Sequence, residues 1–299
     1  MNFTDLLTPV LFGQILLDGL SVSSIYILIA LGFTLLFGIM RVVNFAHGEF
    51  AMLGGFALYY LWGQFKLPFI VAVPLAGLVV AAGSLVLEQT VFRFFYQKMF
   101  QSMIGLLGLS TVMMYSAMIL WGEQERQIPP AFTDTLEFGA SLFGENLLLP
   151  VDRLVMFGIS LTTLAAFYLL IMHTRIGLAM RAAAEDVEVA EAMGIRTRVV
   201  YRQAFAVAIF MTAIAGALYG QIYFLSFQMG DQPLLKAFIV VILGGMGSIP
   251  GAALGGLILG MGEVFLSTLF GPSVSNFVSF GGVIAILICR PWGLLGKPE

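Results

Sequence analysis

The chain is 299 residues long, with 60% hydrophobic residues, 10% charged residues and a formal net charge of −3. A mean hydropathy of +0.98 and so few charges exclude a water-soluble globular fold, in which about a quarter of residues are charged. The near-neutral balance offers no basis for a nucleic-acid partner, and the single Cys289 excludes an internal disulfide and reads as a small buried apolar side chain.

Uncharged runs long enough to cross a hydrocarbon core, which takes about 20 residues of helix, lie at 19–40, 67–87, 99–122, 154–172, 203–230, 237–262 and 264–289, with a shorter run at 50–65. Helices satisfy their own backbone hydrogen bonds in lipid, and residues 204–220 show none of the apolar/polar alternation of a membrane β-barrel. The expected fold is all-α: a polytopic helical bundle of about eight to ten membrane segments, some short or broken, forming one transmembrane domain over 1–299.

The N-terminal MNFTDLLTPV lacks the basic region of a cleavable signal, so the first apolar segment is expected to remain as a helix. Residues 10–46 admit one long crossing or two, and two are expected. Within 37–55, Arg41, Asn44, His47 and Glu49 fall among glycines between apolar runs. Charge at membrane depth needs partners or water, so this stretch reads either as a polar gate or as an interfacial turn with a capping Glu49. A metal site through His47 and Glu49 is disfavoured, because the only other histidine, His173, ends another helix. Glu88 lies near Arg93 at an interface, whereas Asp18 and Glu263 stand isolated and are candidates for an intramembrane proton relay.

Short cytoplasmic loops are enriched in Lys and Arg. That rule puts three segments in the cytoplasm: the loop with Arg93 and Lys98, the segment with Arg175, Arg181, Arg196, Arg198 and Arg202, and the tail with Arg290 and Lys297. The loop 123–152 carries six acidic residues against Arg126 and belongs outside, as does Phe227–Pro233; three segments near 236–248, 251–270 and 275–290 then reach the tail. Small-xxx-small pairs such as Gly216 with Gly220 and Gly256 with Gly260 read as helix packing. The glycine-rich 243–256 combines breakers with polarity and reads, with 37–55, as a discontinuous segment of the kind that lines a transport path.

Residues 173–202 are the most densely charged stretch. Residues 185–193 suit a short helix ended by Gly194, with Glu185, Glu188 and Glu191 on one side and Arg196 and Arg198 following. The acidic ridge disfavours simple adsorption to anionic headgroups. Neither a Walker A loop nor a GxSxG elbow occurs, so the chain reads as no enzyme, and any nucleotide chemistry must come from another subunit.

Three stretches, 30–55, 181–218 and 239–256, resemble the permease subunits of ABC importers for branched-chain amino acids, closest to the first of their two permease proteins. The resemblance implies a coupling loop at about 181–200 that docks on an ATPase subunit, mapping onto Glu185 to Arg198 with Glu191, Ala192 and Gly194 at its centre. It also implies a heterodimeric permease pore, two ATP-binding subunits, a periplasmic or extracellular substrate-binding protein and a bacterial-type cytoplasmic (inner) membrane. No cofactor is expected on this chain, ATP and Mg belonging to the ATPase subunits. Asn44, His47, Glu49, Gly244, Gly245 and Gly247 are the candidate path residues. Leucine, isoleucine and valine are the expected substrates; urea, short amides or other amino acids, or an ion-coupled carrier working alone, are the alternatives.

The charge distribution makes a direct prediction. With Cys289 removed, a cysteine at Thr135 should react with an impermeant reagent from outside and one at Arg181 from the cytoplasm; the reverse pattern would invert the topology.

Overall fold

The computed structural model describes residues 9–138, 147–290 and 292–296. Among these, eleven α-helices account for nearly all regular structure, and seven are long and apolar enough to cross a membrane. With two shorter interior helices the described residues form nine membrane segments, within the eight to ten expected. A small hairpin of β1 (Thr135–Phe138) and β2 (Leu147–Pro150) lies in the acidic loop, outside the bundle.

The first helix, α1 (Pro9–Met40), runs unbroken for 32 residues, about 48 Å at 1.5 Å per residue. Two crossings were expected here; the structure has one long helix. No proline follows Pro9 within it, and its glycines serve contact rather than breakage: a Cβ on Gly19 would meet Met261 Sδ at 2.6 Å, and one on Gly32 would meet Thr212 Oγ1 at 2.6 Å.

After α1 the chain leaves helical geometry at 41–46 and resumes as α2 (His47–Leu58), continued by a π-helical turn, Tyr59–Gln64. Three contacts show that this segment climbs alongside α4 (Met99–Trp121): Val43 N donates to Ser102 Oγ (3.2 Å), Ser110 Oγ donates to Glu49 (3.0 Å), and Phe56 stacks on Trp121 (3.9 Å). Between them α3 (Phe69–Thr90) returns to the end that carries Arg93 and Lys98.

The second half repeats the device in the opposite direction. Helix α5 (Val151–His173) leads to the soluble helices α6 (Arg175–Glu185) and α7 (Val187–Ala192), and α8 (Thr197–Ile222) recrosses. The chain then turns inward through 223–230 and continues as α9 (Asp231–Gly244), which ends where Leu294 N donates to Leu243 O (2.8 Å). Helices α10 (Ile249–Phe270) and α11 (Pro272–Cys289) complete the bundle.

At 12 and 14 residues, α2 and α9 are about 18 and 21 Å long, too short to span a core of about 30 Å. Both therefore begin inside the bundle, and they begin side by side: a Cβ on Gly48 would lie 2.0 Å from Gly230 O. Irregular backbone at this depth must be enclosed by protein, which is why α1 (83% buried) and α8 (72% buried) occupy the centre. The second discontinuity was expected at 243–256. It lies instead at 223–230, where Gly230, Asp231 and Pro233 form a helix-start signature; residues 245–248 form the turn between α9 and α10.

Helix α11 buries only 6% of its apolar window, and Cys289 at its end is exposed rather than buried as expected. The outward side chains of α4, α5 and α11 form the apolar circumference.

Backbone contact between α2 and α8 is among the tightest constraints, since a Cβ on Gly216 would lie 2.0 Å from Ala51 O. Overpacking typically costs about 1–3 kcal/mol, so Gly216→Val should lower the melting temperature of the purified protein in detergent. Gly83→Ala in α3, where an added Cβ meets nothing within 4 Å, should match or exceed the wild type.

Candidate functional site

The projecting loop is built from local caps. Thr174 Oγ1 accepts from Gly177 N (3.0 Å) to start α6, and Asp186 Oδ1 accepts from Glu188 N (2.9 Å) and Val189 N (3.0 Å) to start α7. Asp186 is extended (φ −154°, ψ 116°), so the helix expected over 185–193 is divided: Glu185 closes α6, while Glu188 and Glu191 belong to α7. Aspartate's preference for the N-cap was the signal in the sequence.

Gly194 ends α7 with φ +85°, its N–H donating to Glu191 O (2.9 Å) while Ile195 N donates to Ala190 O (3.0 Å). Nothing lies within 4 Å of a Cβ at Gly194, so the demand for glycine there comes from backbone geometry alone. Thr197 Oγ1 donates to Glu191 Oε1 (2.5 Å), tying α7 to the first turn of α8. Ala190 is buried against the bundle, whereas Val189 (59% exposed) and Met193 (79% exposed) face solvent beside exposed Glu188, Glu191 and Ala192; Arg196 and Arg198 are also exposed. Two solvent-facing apolar side chains among carboxylates make a small amphipathic surface.

Asn44, His47 and Glu49 are brought together where α2 begins, and all three are buried within the chain. His47 Nε2 lies 3.0 Å from both Ile29 O and Thr212 Oγ1, and the Thr212 hydroxyl donates to Ala208 O (2.8 Å). A carbonyl only accepts, so Nε2 carries the proton. Glu49, in the first turn of α2, gains from the helix dipole and from the Ser110 hydroxyl. Among the described residues, both amide atoms of Asn44 and Oε2 of Glu49 lack partners. Arg41, exposed and in left-handed geometry (φ 51°), lies apart at the end of α1.

The structure places these glycines away from that group, Gly244 as the last residue of α9 and Gly245 and Gly247 in the turn after it, with φ +102° at Gly245 and +83° at Gly247. A Cβ on Gly245 would meet Gly296 N at 2.5 Å, so the turn packs against the C-terminal segment. The carboxylates read as isolated have partners: Asp18 pairs with Arg153 (3.7 Å) and Glu263 with Lys236 (2.8 Å). Glu88 pairs with Arg202 (3.3 Å), not Arg93, and accepts from the Tyr96 hydroxyl. Burial, reinforced by that carboxylate, raises the Tyr96 hydroxyl above the usual phenol range.

Lys236 and Arg153 were missed as site residues. A lone cation in one apolar run and a lone anion in the next, as with Lys236 and Glu263, is the pattern intramembrane ion pairs produce.

A nine-segment bundle with discontinuous helices in its core and a charged helical projection, α6 and α7, fits a multi-pass membrane permease. Residues 15–288 match the model of the family described as branched-chain amino acid transport system / permease component. The chain is 33% identical over 303 residues to the high-affinity branched-chain amino acid transport system permease protein BraD of Pseudomonas aeruginosa, covering 96% of each chain. It is 32% identical over 300 residues to permease protein LivH of Escherichia coli K12, again covering 96% of each, and 24% identical over 309 residues to permease protein LivM of the same organism, covering 96% of this chain and 71% of that one. No solved structure matches significantly. The chain belongs to the branched-chain amino acid transport permease family.

The cap at Gly194 is testable locally. A non-glycine residue in left-handed geometry costs about 1–2 kcal/mol, least for Asn. In inside-out vesicles, Gly194→Val should therefore speed tryptic cleavage at Arg196 and Arg198, while Gly194→Asn should stay near the wild-type rate.

Proposed function

We propose that this chain is one of two permease subunits of an ATP-driven importer of branched-chain amino acids in a bacterial-type cytoplasmic membrane. It forms half of the translocation pore and receives ATP-driven motion through α7. The observation that carries this reading is the solvent-facing Val189 and Met193 on a capped helix, in a chain without a nucleotide-binding loop. An exposed apolar pair held among carboxylates at the basic end is a surface made for a partner. ATP and Mg would bind on two separate ATPase subunits, and a binding protein would deliver substrate at the acidic end.

The relatives support the substrate class, since BraD and LivH are named as high-affinity branched-chain amino acid permeases. LivM, similar over most of this chain, supports a second, different permease as the partner. In this reading His47 and Glu49 would anchor the start of α2, His47 on α1 and α8 and Glu49 on α4, with Asn44 buried beside them. An ion-coupled carrier loses its premise, because Asp18 and Glu263 are engaged by Arg153 and Lys236.

The test is co-purification and transport with the full complex. Met193→Glu or charge reversal at Glu188 and Glu191 should leave the two permeases paired while releasing the ATPase subunits or uncoupling hydrolysis from leucine uptake. Full ATPase retention with full uptake would remove α7 from the mechanism, and leucine uptake by the two permeases without ATPase subunits would establish a carrier.

A further inference from the structure

A cavity of about 460 Å³ opens at the acidic end, bounded by α1, α5, α8, α9, α10 and α11, within the range of about 300–1,000 Å³ usual for small-molecule sites. Its charged lining is balanced: Asp18 and Glu263 against Arg153 and Lys236. Each ion pair joins different helices, α1 with α5 and α9 with α10. Lys236 is nearly enclosed and also donates to Asn276 Oδ1 of α11 (2.8 Å). Lys236 donates to Oε2 of Glu263, and the Tyr26 hydroxyl lies beside the same carboxylate.

The two pairs differ in availability. Arg153 and Asp18 are held loosely at 3.7 Å, with about a third and a half of their side chains exposed, whereas Lys236 and Glu263 are close and largely buried. Val22, Ile222 and Val264 add apolar surface, and Ser267 and Thr268 add hydroxyls.

We propose that this cavity binds the ammonium and carboxylate head group of a neutral amino acid on its way in from outside. Arg153 would take the carboxylate as a charge-assisted partner, Glu263 would take the ammonium, and the apolar wall would take an aliphatic side chain. A site with equal numbers of fixed cations and anions matches a zwitterion. It leaves no uncompensated charge to welcome a cationic or anionic side chain, which would have to be desolvated unpaired. The ligand's identity rests on the amino-acid permease reading; the charge pattern does not.

The experiment uses the complete importer complex in nanodiscs. Ligand-observed NMR saturation transfer would be recorded with L-leucine, 4-methylpentanoate, which lacks the ammonium, and 3-methylbutylamine, which lacks the carboxylate. Wild type should give signal with leucine and little with either analogue, and Arg153→Gln and Glu263→Gln should each lose the leucine signal. Uptake by these variants should fall by about tenfold or more, as expected when one partner of a desolvated charge contact is removed.

Because Glu263→Gln leaves Lys236 unpaired and could disturb folding, Ser267→Trp provides a second route, filling the cavity while keeping both ion pairs. It should abolish binding and uptake without lowering the melting temperature. If the wild-type complex transports leucine but all three variants bind and transport it at the wild-type rate, the cavity is not the site, and the permease reading stands. If the folded wild-type complex neither binds nor transports any amino acid, the permease reading itself falls.

Discussion

Backbone polarity in lipid governs this structure. Each residue outside a helix brings an N–H and a C=O that lipid cannot satisfy, and the chain leaves helix twice within the bundle, at 41–46 and 223–230. Both interruptions are affordable only where protein surrounds them. Long α1 and α8 supply that enclosure, and glycine at 48, 216 and 230 allows the backbones of α2, α8 and α9 to touch. Val43 N illustrates the rule, its hydrogen bond being made by a side chain, Ser102 of α4, rather than by a neighbouring turn.

The same constraint explains what the sequence discloses. Helix number and the charged projection are legible because hydrophobic run length and charge density record contact with lipid and water, respectively. The break at 41–46 is legible because Arg41, Asn44 and His47 interrupt an apolar run. The break at 223–230 is legible only in part: the charge count puts Phe227–Pro233 outside, but YFLSFQMG carries no charge and prolongs the apolar run of α8, so nothing marks the break as lying within the bundle. Glycine misleads at 243–256, which reads as a break within a crossing, whereas Gly245 to Ser248 form a turn between two crossings.

Burial separates the candidate site residues in a way that spacing cannot. Asn44, His47 and Glu49 are close in sequence and polar, yet they are packed inside the chain, where His47 bonds the start of α2 to α1 and α8 and Glu49 bonds it to α4. Lys236 and Glu263 are 27 residues apart and meet only because α9 and α10 fold back on each other. The sequence places each charge in lipid; the antiparallel return of the chain makes it a pair. Breaking such a pair leaves a buried charge unpaired, at a cost of about 3–5 kcal/mol, so its presence in a wall with a cavity beside it fits a functional demand better than a stability one.

A mechanical connection between the two ends follows from α8. Its first turn is tied to α7 through Thr197 and Glu191, and its last residue, Ile222, with the adjoining Tyr223, lines the cavity at the acidic end. Between these points α8 is continuous over 26 residues, about 39 Å, and the backbone contact at Gly216 leaves little room for it to slide independently of α2. A close-packed helix moves as a body, because packed interiors switch between discrete arrangements rather than deforming gradually. On the proposed reading, a displacement imposed on α7 would reach the cavity wall through one helix, and the paired starts of α2 and α9 beside it would be the joint that yields.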